Sequence, residues 1–229
     1  IFSGDVWRVD CQHPVDECVL SWNMLRPSKG RYRFSLRFKT HIWSPWMTYS
    51  AWGSDEQSTF ESHCDVSGVR FYQDIVSFPD DIAGVTFEVK VEPEDGAPHG
   101  QPLVLFACLT KKCDYRLKID FNSASVNLPL AGLSQMVFGP SQNRRVCSPV
   151  STAAVVSYLN GFVADPFLFA SRVRDHQWDI YGNWVLNVAQ AYVEMTGRWL
   201  CWVERLPDFD AVIDRLKKHT PIVASVKGP

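Results

Sequence analysis

The chain has 229 residues, 46% of them hydrophobic and 21% charged, which is enough apolar material for two modest domains or one large one. A net charge of -2 argues against nucleic acid or a polybasic contact with a membrane surface, and no uninterrupted apolar run is long enough to span a bilayer. The opening residues, Ile1-Phe2-Ser3-Gly4-Asp5, are not a signal peptide and lack an initiator Met, so the expectation is a removed leader or a start inside a longer protein.

Up to about residue 125 the sequence reads as strands. Cys18 to Met24 comes first, followed by the turn signal Pro27-Ser28-Lys29-Gly30. Arg31 to Lys39 then alternates, with Tyr32, Phe34, Leu36 and Phe38 facing inward and Arg31, Arg33, Arg37 and Lys39 outward. Further strands are predicted over Met47 to Trp52, Val69 to Val76, Val85 to Glu92, Leu103 to Leu109 and Tyr115 to Ile119. Short strands with regular turns predict an antiparallel β-sandwich of fibronectin-like type. The alternating cations read as a solvated face, because Glu88 and Glu92 take the same kind of position on another strand. Trp43 and Trp46, with Trp22 and Trp52, are either sandwich core or exposed rings for a sugar or peptide.

After about residue 130 the period becomes helical. Pro149 to Leu159 is apolar and stops at Asn160-Gly161. Asp165 caps a second helix that has Pro166 at its first position and runs through Val173. A third runs from about Trp184 to Met195, and a fourth follows Pro207-Asp208, from Phe209 to Lys218, with Phe209, Val212, Ile213 and Leu216 on one side. Trp199 to Leu206 and Pro221 to Val226 read as strands, the second one buried. The pattern is α+β, with the sandwich over residues 1–127 and the second domain over 128–229.

Seven cysteines leave at least one thiol unpaired. Cys108 with Cys113, and Cys11 with Cys18, are each spaced to bridge, which mildly favours an oxidising compartment, secreted or in the cell envelope; a cytoplasmic location stays open. No CxxC or paired His accompanies the thiols, so no metal is expected. Cys147 lies where a loop becomes a helix, with Ser148 as the expected N-cap and Pro149 in the first turn. A thiol there meets unpaired backbone N–H groups and the positive end of the helix dipole, the setting in which cysteine hydrolases prepare a nucleophile.

Gln135-Met136, Val146-Cys147-Ser148-Pro149-Val150-Ser151, Val173-Arg174-Asp175 and Tyr181-Gly182-Asn183-Trp184 through Ala191 together resemble the bacterial C39-like cysteine peptidases, which are papain-like in fold. Ser21-Trp22-Asn23, Trp43-Ser44-Pro45-Trp46 and Trp52-Gly53 are similar to the sandwich that precedes this domain in many such proteins. The resemblance implies Cys147 as nucleophile and Gln135 as an oxyanion donor, with Gln142 the competing amide. It implies a structural role for Asn183, and for Trp184 either packing or substrate contact. Val150 departs from the family's usual Thr. The larger departure is the base. The family's Gly-His segment follows the strand that matches Pro221 to Val226, so the catalytic His is expected beyond residue 229. Of the six His, His176 is the candidate stand-in, while His219 ends a basic helix tip. The expected function is cleavage of peptide or peptide-like amides through a Cys147 thioester, with a peptide or protein substrate and no cofactor. The alternative is a non-catalytic surface protein that binds a glycan or protein on a degenerate peptidase scaffold. Oligomeric state is not legible.

Overall fold

The computed structural model describes residues 6–80, 82–111 and 125–225. The architecture is α+β, with two five-stranded antiparallel sheets and four helices. The first sheet contains β1 (Trp7–Cys11), β3 (Arg31–Lys39), β4 (Met47–Gly53), β5 (Gln57–Thr59) and β9 (Val85–Glu94), in the order β1-β9-β3-β4-β5. The second contains β2 (Glu17–Asn23), β6 (Ser62–Cys64), β7 (Val69–Tyr72), β8 (Ile75–Ser77) and β10 (Val104–Thr110), in the order β10-β2-β8-β7-β6. The continuous strand expected over Val69 to Val76 is instead the hairpin β7–β8, broken at Gln73-Asp74, where Gln73 has φ 54°. The expected strand Tyr115 to Ile119 lies outside the described residues, as does Cys113. Cys11, Cys18 and Cys108 are free thiols, so the proposed Cys11–Cys18 bridge is not formed.

The sandwich core follows from the alternation of β3. Tyr32, Phe34, Leu36 and Phe38 point inward; Phe34 stacks on Trp22 across the two sheets, and Phe38 meets Phe71. Trp22 and Trp52 are fully buried, so neither ring can serve a ligand. On the outer face, register sets Arg31 opposite Glu94, Arg33 opposite Glu92 and Arg37 opposite Glu88, and each pair is joined as a salt bridge. The three arginines are therefore neutralised by the neighbouring strand, while Lys39 lies opposite Thr86. Trp43 and Trp46 flank the Arg37 guanidinium, at 4.8 and 4.7 Å from its carbon to the ring centroids, and Lys90 lies 5.0 Å from the Trp46 centroid. Their π faces are spent on protein cations, which works against the sugar-stacking alternative.

The helical half contains α1 (Cys147–Asn160), α2 (Pro166–Val173), α3 (Trp184–Glu194) and α4 (Phe209–Lys217). Asp165 caps α2 through the Phe167 and Leu168 N–H groups, and Asp208 caps α4 through Ala211, as their sequence positions predict. Helix α3 lies on the outer face of β2, and its Val185, Leu186 and Ala189 join the sandwich core. This explains why every residue of β2 is buried. Its Cys18, Leu20 and Trp22 face the other sheet, while Ser21 and Asn23 face the helical half.

Neither late strand expected from sequence forms among the described residues. Residues 199–206 have no regular secondary structure and join no sheet. Instead, Asn23 donates to the Cys201 carbonyl at 2.6 Å and accepts the Cys201 N–H at 2.7 Å, and Ser21 Oγ accepts the Val203 N–H. Side chains of β2 thus replace a neighbouring strand's backbone. Residues 221–225 also form no strand, and Val223 is exposed; Val226 lies outside the described residues. No strand edge among the described residues pairs with this run, so its apolar pattern has no sheet to enter.

Candidate active site around Cys147

Cys147 is the first residue of α1, and it is exposed, whereas the other five described cysteines are buried or half-buried. Burial pushes the Cys18 thiol far up and Cys201 up to about 12, which leaves both as packing residues. The helix starts two residues earlier than its capping chemistry suggests. Ser148 is the second helical residue, and the cap position belongs to Val146, which offers no side-chain acceptor. Burial decides this register: Val146 and Val150 pack with Phe138, Ala170 and Tyr181 in a small apolar cluster. The departure from the family's Thr at position 150 therefore places an apolar side chain in an apolar site. Pro149 has no N–H, so the first-turn donors left without a side-chain cap are those of Cys147 and Ser148.

Gln135 begins a short 3₁₀ helix, Gln135–Val137, and its Nε2 donates to the Asn143 carbonyl at 2.7 Å. One of its two amide protons thus holds the loop that leads to Cys147. Gln142 is exposed, and its backbone closes a turn onto Gly139. Among the described residues, no side chain, imidazole included, hydrogen-bonds to the Cys147 thiol. His176 is committed to the sandwich, with its backbone N–H and its Nδ1 both on the Gln57 carbonyl. At 3.2 Å from a carbonyl oxygen, Nδ1 carries the proton. His219 stands beyond the end of α4 with φ 56°.

Three groups that sequence reasoning missed organise this region. Asp175 is fully buried and its carboxylate accepts from Thr59 N–H, Thr59 Oγ1, Asn183 Nδ2 and the N–H groups of Gln177 and Trp178. Five hydrogen-bond donors, from the sandwich and from the helical half, thus converge on this one carboxyl group. Arg26 joins the halves: its guanidinium lies 3.8 Å from the Trp52 centroid and donates to Gln190, Gln57 and the carbonyls of Gly53 and Arg172. Burial pushes Arg26 down to about 10, still charged at neutral pH. Asp74, at the tip of the β7–β8 hairpin, accepts the Trp184 N–H at 2.7 Å and so caps α3 from the sandwich. Asn183 holds the N-cap position itself but makes no side-chain cap, because its amide is turned to Asp175 and Thr59.

Asp179 ties this region to the nucleophile's loop. Its carboxylate accepts from Arg174 Nε and from Arg145 Nη2, which also donates to the Asp179 carbonyl. The hydrogen bond from Arg174, with help from Arg145, holds the Asp179 carboxyl below its usual range. The Arg145 guanidinium also lies 5.3 Å from the centroid of Tyr181. An open cleft of about 480 Å³ lies between Gln73, Asp74 and Ile75 of the sandwich and Arg145, Ile180, Tyr181, Gly182, Asn183 and Trp184 of the helical half. Trp184 is 38% exposed, half packed and half presented to solvent.

Residues 128–229 match the Peptidase_C39 like family. The chain thus carries a C39-like domain at its C-terminal end, and the exposed thiol lies inside it. No curated protein and no solved structure matches the chain. Among the described residues no helix of this C39-like domain, or of the sandwich, is long and apolar enough to cross a membrane.

Proposed function

We propose that Cys147 is the nucleophile of a cysteine peptidase acting on peptide or protein substrates. The observation that carries this reading is an exposed thiol as the first residue of a helix within the C39-like domain, flanked on both sides by buried anchors, Val146 and Val150. In the reaction the sulfur attacks the substrate carbonyl carbon and a base takes the thiol proton. The C–N bond then breaks, the proton passes to the departing amine, and water hydrolyses the thioester to restore the thiol. The Cys147 and Ser148 N–H groups suit the negative charge that develops on the carbonyl oxygen, and Gln135 serves by fixing the loop, with its second amide proton available to the same oxygen. Trp184 offers a half-exposed ring for substrate contact. His176 is held by the Gln57 carbonyl rather than by the thiol, and the base we propose is a further histidine, as the family resemblance implies.

Iodoacetamide labelling near neutral pH tests the nucleophile. Expected is alkylation of Cys147 at least about tenfold faster than that of N-acetylcysteine, with the fast phase lost in Cys147→Ala. A rate equal to that of the free thiol, or a fast phase that persists in Cys147→Ala, overturns the assignment.

A further inference from the structure

We infer that the cleft between the β7–β8 hairpin and residues 180–184 is a substrate subsite, shared by the sandwich and the C39-like domain, that takes an extended acidic peptide segment. The inference rests on the peptidase reading for its place next to Cys147, and on separate observations for its chemistry.

Proximity comes first. Arg145 lines the cleft and precedes Cys147 by two residues, which puts their Cα atoms within about 7.6 Å. Tyr181, another wall residue, packs against Val146 and Val150, on either side of the nucleophile. Cys147 does not itself line the cleft, but a chain lying there and continuing past Arg145 comes within a residue or two of it.

The lining decides what the chain is. Ile75, Ile180 and the exposed half of Trp184 supply apolar contact. Gly182 gives a bare stretch of backbone: a Cβ added there would meet nothing within 4 Å, so an extended backbone has room to lie along it. The cation among the lining residues is Arg145; it shares the Asp179 carboxylate with Arg174, and exposed Arg144 precedes it in the chain. The acid inside the cleft, Asp74, is already engaged by the N–H groups of Trp184 and Val185 at the start of α3, whose partial positive charge offsets it. An acidic side chain placed at Arg145 gains a charge-assisted hydrogen bond from guanidinium N–H groups not used by Asp179.

The sandwich wall is formed at some conformational cost. Gln73 holds φ 54° at the hairpin tip, in the left-handed region that a non-glycine residue adopts only against its own sterics. The strained turn is what brings Asp74 onto α3 and Ile75 to the cleft.

The test measures binding apart from catalysis, in the Cys147→Ala chain. Fluorescein-labelled Ala-Leu-Asp-Leu-Gly and its Asn counterpart, Ala-Leu-Asn-Leu-Gly, are titrated by anisotropy at low salt. Expected is about tenfold tighter binding of the Asp peptide, with the difference lost in Arg145→Gln and largely kept in Arg145→Lys. Because Arg145 also anchors a loop, Gln73→Glu is the independent variant: it adds a negative charge on the opposite wall and should weaken the Asp peptide several-fold while sparing the Asn peptide. Equal affinity for the two peptides, or an acidic preference that survives both Arg145→Gln and Gln73→Glu, overturns the subsite. Failure of Cys147 to alkylate rapidly, with acidic preference intact, overturns the peptidase reading and leaves the subsite standing.

Discussion

Asp74 performs for α3 the role that Asn183 occupies by position but leaves unfilled, since the Asn183 amide is turned to Asp175 and Thr59. The cap has an electrostatic cost. Burial raises the Asp74 pKa from 3.8 more than the N–H groups of Trp184 and Val185 lower it. The sign follows from proton counting. Between 3.8 and the raised value the folded chain binds more protons at this site than the unfolded chain does, so the site's contribution to stability is full below 3.8 and is lost as pH rises through the folded value. Asp74→Asn keeps an acceptor for Trp184 N–H and abolishes the titration. Urea unfolding should therefore show the variant gaining on wild type as pH rises from about 3.5 to about 7. A constant difference across that range would show that Asp74 titrates alike in both states. Asp74→Ala, which removes the acceptor, should lose about 1 kcal/mol at neutral pH.

Among the elements, α3 and the run 199–206 both join the two halves. Leu186 is fully buried at the contact with β2, and Leu186→Ala should cost roughly 2–5 kcal/mol by denaturant unfolding. Asn23→Ala leaves the Cys201 N–H and carbonyl without their partners, so hydrogen exchange at residues 199–203 should accelerate well before global unfolding. Unchanged protection there would mean that packing of Val203, rather than Asn23, holds the run. These elements also show what the sequence discloses. Periodicity locates β3, β4 and all four helices to within a residue or two; alternation fixes β3 and β4, and local caps fix α2 and α4 at Asp165 and Asp208, whereas α1 and α3 carry no side-chain cap of their own. The run 199–206 has the apolar content of a strand but pairs with side chains of β2, a relation between residues some 180 apart that no local pattern encodes. The position of Cys147 at a helix start is legible locally; Asp175, Arg26 and Asp74 are not, because each acts on a partner in the other half.

At the scale of the whole molecule the halves share one core and one polar network. Val185, Leu186 and Ala189 of α3 belong to the same cluster as Trp22 and Phe34, and Asp175 and Arg26 connect the β4–β5 edge to the segment that leads into α3. Two domains with a thin interface would unfold separately, whereas this chain has no layer along which to part without exposing apolar α3 and orphaning buried donors. Calorimetry of the full chain should therefore show one transition, with a van't Hoff enthalpy that matches the calorimetric one. Asp175→Ala sharpens the test. It strands five donors, two of them on Thr59 in the sandwich, and should lower overall stability by about 3 kcal/mol or more. If the halves are coupled as the contacts indicate, probes in both should shift together: near-ultraviolet signal from the sandwich tryptophans Trp22 and Trp52, and the hydrogen-exchange protection of α1. A sandwich signal that keeps its wild-type midpoint while α1 melts early would show that the C39-like domain is a separable passenger, and that the shared cleft is not a fixed feature of the fold.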